Sequence, residues 1–225
     1  MNSHPWLKNF NSAADAFASG DIAQALEQYV SIFLTEATEI SEKAPWIFFE
    51  TRLRIAFCLI ELNEFIDALR ELESPQILTL FAEANPSQRY SYFFTYANVL
   101  SKLGFFENAD LAYREALKLA QGPLQDLSAT EKTLRFRMQN SQRFGEWLGL
   151  LEIAREAARL AQQHQLPSLA QASREAACLC YRGLLRFSDA RKGAELVLQQ
   201  LHQNQASPAQ KDKWIQFINE IQPIG

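Results

Sequence analysis

A short phrase recurs in this chain about every forty residues. Gly20-Asp21-Ile22 leads to Ala25 and Tyr29, and Asn63-Glu64-Phe65 to Ala68 and Leu72. Gly104-Phe105-Phe106 leads to Ala109, Tyr113 and Ala116. Gly145-Glu146-Trp147 leads to Leu150, Ala154 and Ala157, and Leu185-Arg186-Phe187 to Ala190, Ala194 and Val197. The phrases start at 20, 63, 104, 145 and 185, so the steps are 43, 41, 41 and 40. A period of this length, carried on helical spacing, means stacked helical hairpins.

The punctuation places the helices. A leading Gly or Asn tolerates the left-handed conformation that ends a helix. Leu185 lacks that tolerance, although Gly183 lies close by. The spacing predicts helices over about 5–19 and 21–38, 44–62 and 64–73, 86–103 and 105–120, 129–143 and 146–164, and 168–184 and 187–203. A short extra helix is expected within 74–84 through Ile77, Leu80 and Phe81. Ser128-Ala129-Thr130-Glu131 reads as a capping box. Asn85-Pro86 and Ser207-Pro208 each put a cap residue before a first-turn proline. Gly122-Pro123 ends a helix.

A final helix over about 208–221 carries Trp214, Phe217, Ile218 and Ile221 on one stripe. It reads as the cap of an open array, because a solenoid otherwise ends on exposed apolar surface. A protruding helix that docks on a partner is the rival. The fold class expected is all-α, a right-handed α-α superhelix of about five hairpins plus this cap. The whole chain, 1–225, forms one repeat domain. Its units are about 5–40, 44–84, 86–121, 128–165 and 168–204, with the capping helix at 207–221.

The alanines at helical spacing, such as Ala109, Ala112 and Ala116, let helix backbones approach closely, and aromatics fill the space left over. Hydrophobic residues make up 48% and charged residues 21%, ordinary for a globular chain. No uncharged apolar run is long enough to span a membrane. The amino terminus lacks a secretory pattern. Cys58, Cys178 and Cys180 have neither zinc nor redox spacing and read as small core residues of a protein in a reducing cytoplasm. Charge is uneven. Residues 1–112 hold 7 Lys/Arg against 15 Asp/Glu, and residues 113–225 hold 15 against 11. The first half also carries most of the aromatics, so one end is acidic and aromatic and the other mildly basic.

The phrase resembles the tetratricopeptide repeat, in which a Gly-Asp/Asn-aromatic turn precedes a small residue, then Tyr or Phe, then Ala. The third unit is the nearest match, through Ala97, Leu100, Gly104, Phe106, Ala109, Tyr113 and Ala116. The first matches through Ala13, Gly20, Ile22, Ala25 and Tyr29, and the second through Ala56, Leu59, Phe65 and Ala68. The last two units are degenerate. Leu150, for example, stands where a small residue belongs. Units of 40 to 43 residues exceed the usual 34 and resemble those of bacterial regulatory repeat proteins and kinesin-light-chain-type repeats. An armadillo-like or other helical-hairpin solenoid is the alternative.

The resemblance implies a concave groove lined by the first helix of each hairpin. Carried over by register, the candidate partner-binding residues are Phe10, Phe17, Phe57, Phe94, Asn98, Lys102, Lys132, Arg135, Gln139, Arg143 and Arg182. The lining turns from apolar to polar and basic from Asn98 onward. The helix over 129–143 is unusually polar, with Lys132, Arg135, Arg137, Gln139, Asn140, Gln142 and Arg143, so a wide face of it is expected to be wet. Arginine suits carboxylate ligands because its planar fork makes paired hydrogen bonds to them. The family's set for a C-terminal carboxylate is only partly echoed, by Asn98 and Lys132. Phe94, Phe136 and Ala172 occupy columns where polar partners are needed.

No catalytic, metal or cofactor constellation is present. His4, His164 and His202 are scattered, and the pairs Glu36/Glu39 and Glu61/Glu64 read as solvated helix surface. The sequence therefore points to a non-catalytic scaffold or adaptor, regulatory or chaperone-like. It would bind a protein or peptide, one that the basic lining would suit if acidic. The rival is a structural subunit of a larger or homo-oligomeric complex, in which Trp6, Trp46 and Phe48 would meet a neighbour. The basic excess is small beside the stripe expected of a nucleic-acid binder.

Overall fold

The computed structural model describes residues 5–221, apart from the side chains of residues 5, 36–39, 41 and 42. His4 and the Glu36/Glu39 pair thus lie outside the described residues. Those residues form twelve helices, packed pairwise in consecutive hairpins, and fall into two compact units, 1–127 and 128–225. No described helix is long and apolar enough to cross a membrane.

The first unit holds α1 (Pro5–Ala18), α2 (Ile22–Lys43), α3 (Pro45–Glu61), α4 (Phe65–Leu72), α5 (Pro75–Phe81), α6 (Pro86–Lys102) and α7 (Phe106–Gln121). The second holds α8 (Leu127–Phe144), α9 (Trp147–His164), α10 (Pro167–Gly183), α11 (Phe187–Gln203) and α12 (Pro208–Glu220).

The recurring phrase is the hairpin turn itself. Its leading residues all have positive φ: Gly20 at 88°, Asn63 at 63°, Gly104 at 86°, Gly145 at 77° and Leu185 at 58°. Each turn closes in the same way. The N–H one residue further on donates to a carbonyl five residues back, Asp21 to Ala16, Glu64 to Leu59, Phe105 to Leu100, Glu146 to Ser141 and Arg186 to Tyr181, at 2.7–3.1 Å. This Schellman arrangement satisfies carbonyls left orphaned at a helix end.

Leu185 takes the left-handed position without glycine's freedom because the nearby glycine is committed elsewhere. A Cβ on Gly183 would lie 2.4 Å from the Trp147 ring. Gly183 is the gap through which α9 and α10 approach, so it cannot also serve as the turn residue.

The alanines of the phrase form the packing face. Ala13, Ala25, Ala56, Ala68, Ala97, Ala109, Ala116, Ala157, Ala190 and Ala194 are completely buried. Tyr29 and Tyr113 fill the space beside them, edge-on to Phe10 and Phe94. In the second hairpin the returning helix is broken. Ser74-Pro75 splits it into α4 and α5, and Ile77 of α5 plugs the core with Phe81 packed on Tyr92.

Capping boxes form at Asn85/Gln88 and Ser207/Gln210. The box expected at Ser128 does not start a helix. α8 begins at Leu127, so Ser128 falls within its first turn. The preceding turn is set by Gln125, at φ 49°, and by the Asp126 N–H donating to Ala120. Glu61 and Glu64 are exposed on either side of the α3–α4 turn, not along one helix. Cys58, Cys178 and Cys180 are buried free thiols, and burial pushes them up to about 11, 12 and 12.

The final helix covers the end of the second unit. Trp214, Phe217 and Ile221 are buried in one cluster with Ala190, Ala194, Val197 and Leu201 of α11.

Candidate functional site

Four candidate residues of the second unit form one stripe of α8. Lys132, Arg135, Gln139 and Arg143 are spaced three and four apart, which places them on a single helix face. Lys132, Gln139 and Arg143 are exposed and Arg135 is half-buried. The opposite face, with Thr130, Thr133, Leu134, Met138 and Ser141, is buried. Arg135 lies 3.2 Å from the Glu131 carboxylate, which also accepts a 2.8 Å hydrogen bond from Ser168 of α10. Glu131 thereby fixes the start of α10 beside α8 and holds Arg135 along the helix axis. No ion pair engages Arg143 among the described residues.

The polar character of α8 does not all face water. Arg137 and Asn140 are buried, and Arg137 reaches Glu156 of α9 at 3.9 Å. The corrected register has a sequence signal, because residues 130, 133, 134, 137, 138 and 141 recur at helical spacing and include Leu134 and Met138. Arg182 of α10 is exposed but engaged by the cap. Its guanidinium lies 3.4 Å from Glu220 and 5.3 Å from the Phe217 ring centre.

The candidates of the first unit are less available. Phe94 is only 3% exposed, between Tyr90 and Tyr113, and is a core residue of its hairpin and not a groove residue. Its ring fills the space that the alanines of α7 leave. Phe10 and Phe17 are half-buried against the core. Phe57 and Asn98 are half-buried, and Lys102 is exposed with its ammonium 5.8 Å from the Phe65 ring centre. Of the aromatics expected at a neighbour's surface, Trp6 and Phe48 are buried and Trp46 is 57% exposed.

No protein-family model matches the chain, and no curated protein matches it in sequence. Solved structures do match. A Podosopora anserina protein described as a kinesin light chain, with nearly identical TPR-like repeats, superposes with a TM-score of 0.75 at 15% identity, covering 92% of this chain and all of that one. A single-substitution variant of the same protein gives 0.75 at 13% identity with the same coverage. The apo form of RapI gives 0.68 at 12% identity, covering 97% of this chain and 71% of that one. With a Schellman turn inside each of its five hairpins and buried alanine faces, the chain has the all-α fold of a TPR-like repeat solenoid.

Proposed function

We propose that this chain is a non-catalytic scaffold or adaptor that binds a partner protein or peptide, with the α8 stripe as its contact for an acidic segment. TPR-like folds typically serve protein–protein interaction, and the α8 stripe supplies the chemistry. The carrying observation is that Lys132, Arg135, Gln139 and Arg143 share the wet face of a helix whose other face is buried. A buried rear face keeps such a helix in place, so its charges are presented without reordering cost. An acidic partner would gain association rate from the basic face and paired hydrogen bonds from the arginine forks. A regulatory or chaperone-like role in the cytoplasm is the setting this reading favours.

Affinity capture from the native host tests it. Arg143→Glu with Lys132→Glu alters only exposed positions and should abolish retention of the specific partner with unchanged far-UV circular dichroism. Arg135→Glu with Arg143→Glu should do the same, with some loss of stability because Glu131 would face a new carboxylate. Equal retention of partner by both variants would leave the stripe idle.

A further inference from the structure

The exposed tryptophan of the first unit stands over a small pocket whose chemistry is opposite to that of the α8 stripe. Pro45, Trp46 and Phe49 from the start of α3 line it together with Leu80 of α5 and with Glu83, Ala84 and Gln88. Trp46 and Phe49 are one helical turn apart, so both rings serve the same side. The Gln88 amide donates to the Trp46 carbonyl at 3.4 Å, which ties the start of α3 to α6. The pocket encloses about 90 Å³. A water needs only about 10–15 Å³ of such volume, so there is room for the tip of one side chain.

The charges decide which tip. No ion pair or hydrogen bond engages the Glu83 carboxylate among the described residues. The cation nearest Glu83 in sequence, Arg89, is committed elsewhere, with its guanidinium 5.6 Å from the Phe81 ring centre and 2.6 Å from the Ala82 carbonyl. Glu83 is the one charged residue lining the pocket, and residues 1–112 as a whole carry 15 acidic against 7 basic residues. Tryptophan is the best aromatic partner for a cation. A neutral apolar tip would instead desolvate Glu83 without compensation.

We propose that this pocket receives an arginine or lysine side chain of a partner protein. The cation stacks on Trp46 and pairs with Glu83, while its aliphatic stem lies against Pro45 and Leu80. That the cation is carried on a protein rests on the scaffold reading. The pocket's preference for positive charge does not, because it is testable with no partner present.

The full chain is titrated with Nα-acetyl-arginine amide while the Trp46 indole N–H is followed by NMR, assigned with Trp46→Phe. A saturable shift is expected. Nα-acetyl-citrulline amide, nearly the same shape without the charge, should bind at least about threefold more weakly, the scale of an exposed cation–π contact. Glu83→Gln, at an exposed position, should weaken the arginine derivative by roughly three- to tenfold with an unchanged melting temperature. Absence of a saturable shift, equal binding of the citrulline derivative, or an unaffected Glu83→Gln variant would each overturn the proposal. None of these results bears on the α8 variants, so the two readings fail separately.

Discussion

Arg52 and Glu71 join α3 to α4 by an ion pair of 2.6 Å, with the arginine only 7% exposed. The guanidinium also lies 4.1 Å from the centre of the Phe33 ring of α2, so one side chain ties three helices together. The two partners are unequal, because Glu71 is partly exposed and Arg52 is not. Losing Glu71 strands a buried charge, whereas losing Arg52 leaves a carboxylate that water can reach. Glu71→Gln should therefore cost about 1–3 kcal/mol, and Arg52→Met, which keeps the stem's packing, should cost less. Urea midpoints of the two variants decide the order. A larger loss for Arg52→Met would mean that ring stacking, not charge pairing, dominates.

The fifth turn puts a leucine in the left-handed region, where the other four have glycine or asparagine. Leu185 holds φ 58° with its side chain 73% exposed, so its apolar atoms gain little by being there. Leu185→Gly should raise stability by about 0.5–1 kcal/mol, since a left-handed residue with a Cβ is penalised by roughly 1–2 kcal/mol and glycine gives part of this back in entropy. Leu185→Asn should gain less. Thermal unfolding measures both, and a lowered melting temperature in Leu185→Gly would mean that the leucine makes contacts its exposure does not suggest. Gly183→Ala, two residues away, should act in the opposite direction by displacing the Trp147 ring.

The contrast between Gly183 and Leu185 marks the limit of what the sequence discloses. The repeat was legible because turn chemistry is local. A residue at positive φ, a small residue five positions later and helical spacing beyond it are all visible along the chain. Helix ends at Asn85 and Ser207 were legible for the same reason. What glycine is for was not legible, since a turn and a close approach ask for the same residue, and only the position of Trp147 decides between them. Single groove positions are less legible than the fold. Phe94 occupies a groove column of the family pattern, yet its ring fills the space above the alanines of α7. Arg137 and Asn140 are polar, yet they share a face with Leu134 and Met138. Burial of single side chains depends on neighbours far along the chain, and a register carried over from a repeat cannot supply those neighbours. Trp46 and Glu83, thirty-seven residues apart, meet only because Pro75 breaks the returning helix of the second hairpin.

Stability should fall in alkali for a reason built into the packing faces. Burial pushes the phenols of Tyr29 and Tyr92 up to about 12, and Tyr96, half-buried and donating to Glu73, is raised to the same value. The buried thiols are raised too, Cys178 and Cys180 to about 12. In each case the folded chain holds its proton where the unfolded chain has released it. The stabilisation is complete below the unfolded values, near 9 for the thiols and 10 for the phenols. It is lost as pH rises through the interval up to about 12. Urea midpoints should therefore be flat from pH 7 to about 8.5 and then decline. Tyrosine ionisation, followed by ultraviolet absorbance, should show a late-titrating group that appears with unfolding. A midpoint that holds steady to about pH 11 would show that these groups reach solvent in the folded state.

The last helix distinguishes a cap from a docking element. α12 and the residue that follows it bury Trp214, Phe217 and Ile221 against Ala190, Ala194, Val197 and Leu201, so removing residues 207–225 uncovers the apolar face of α11. The truncated chain should be aggregated or insoluble, as light scattering would show, because exposed apolar patches of this kind drive association. A well-behaved truncated monomer would identify α12 as a docking helix instead. Point variants separate packing from charge within the same contact. Trp214→Ala should cost about 3–5 kcal/mol, the range for emptying a buried large aromatic site. Arg182→Ala should cost less than about 1 kcal/mol, since its pair with Glu220 is largely solvent-exposed and screened. If the arginine variant proves the more damaging, the guanidinium resting on Phe217 holds the cap in place, and the apolar cluster follows from that contact.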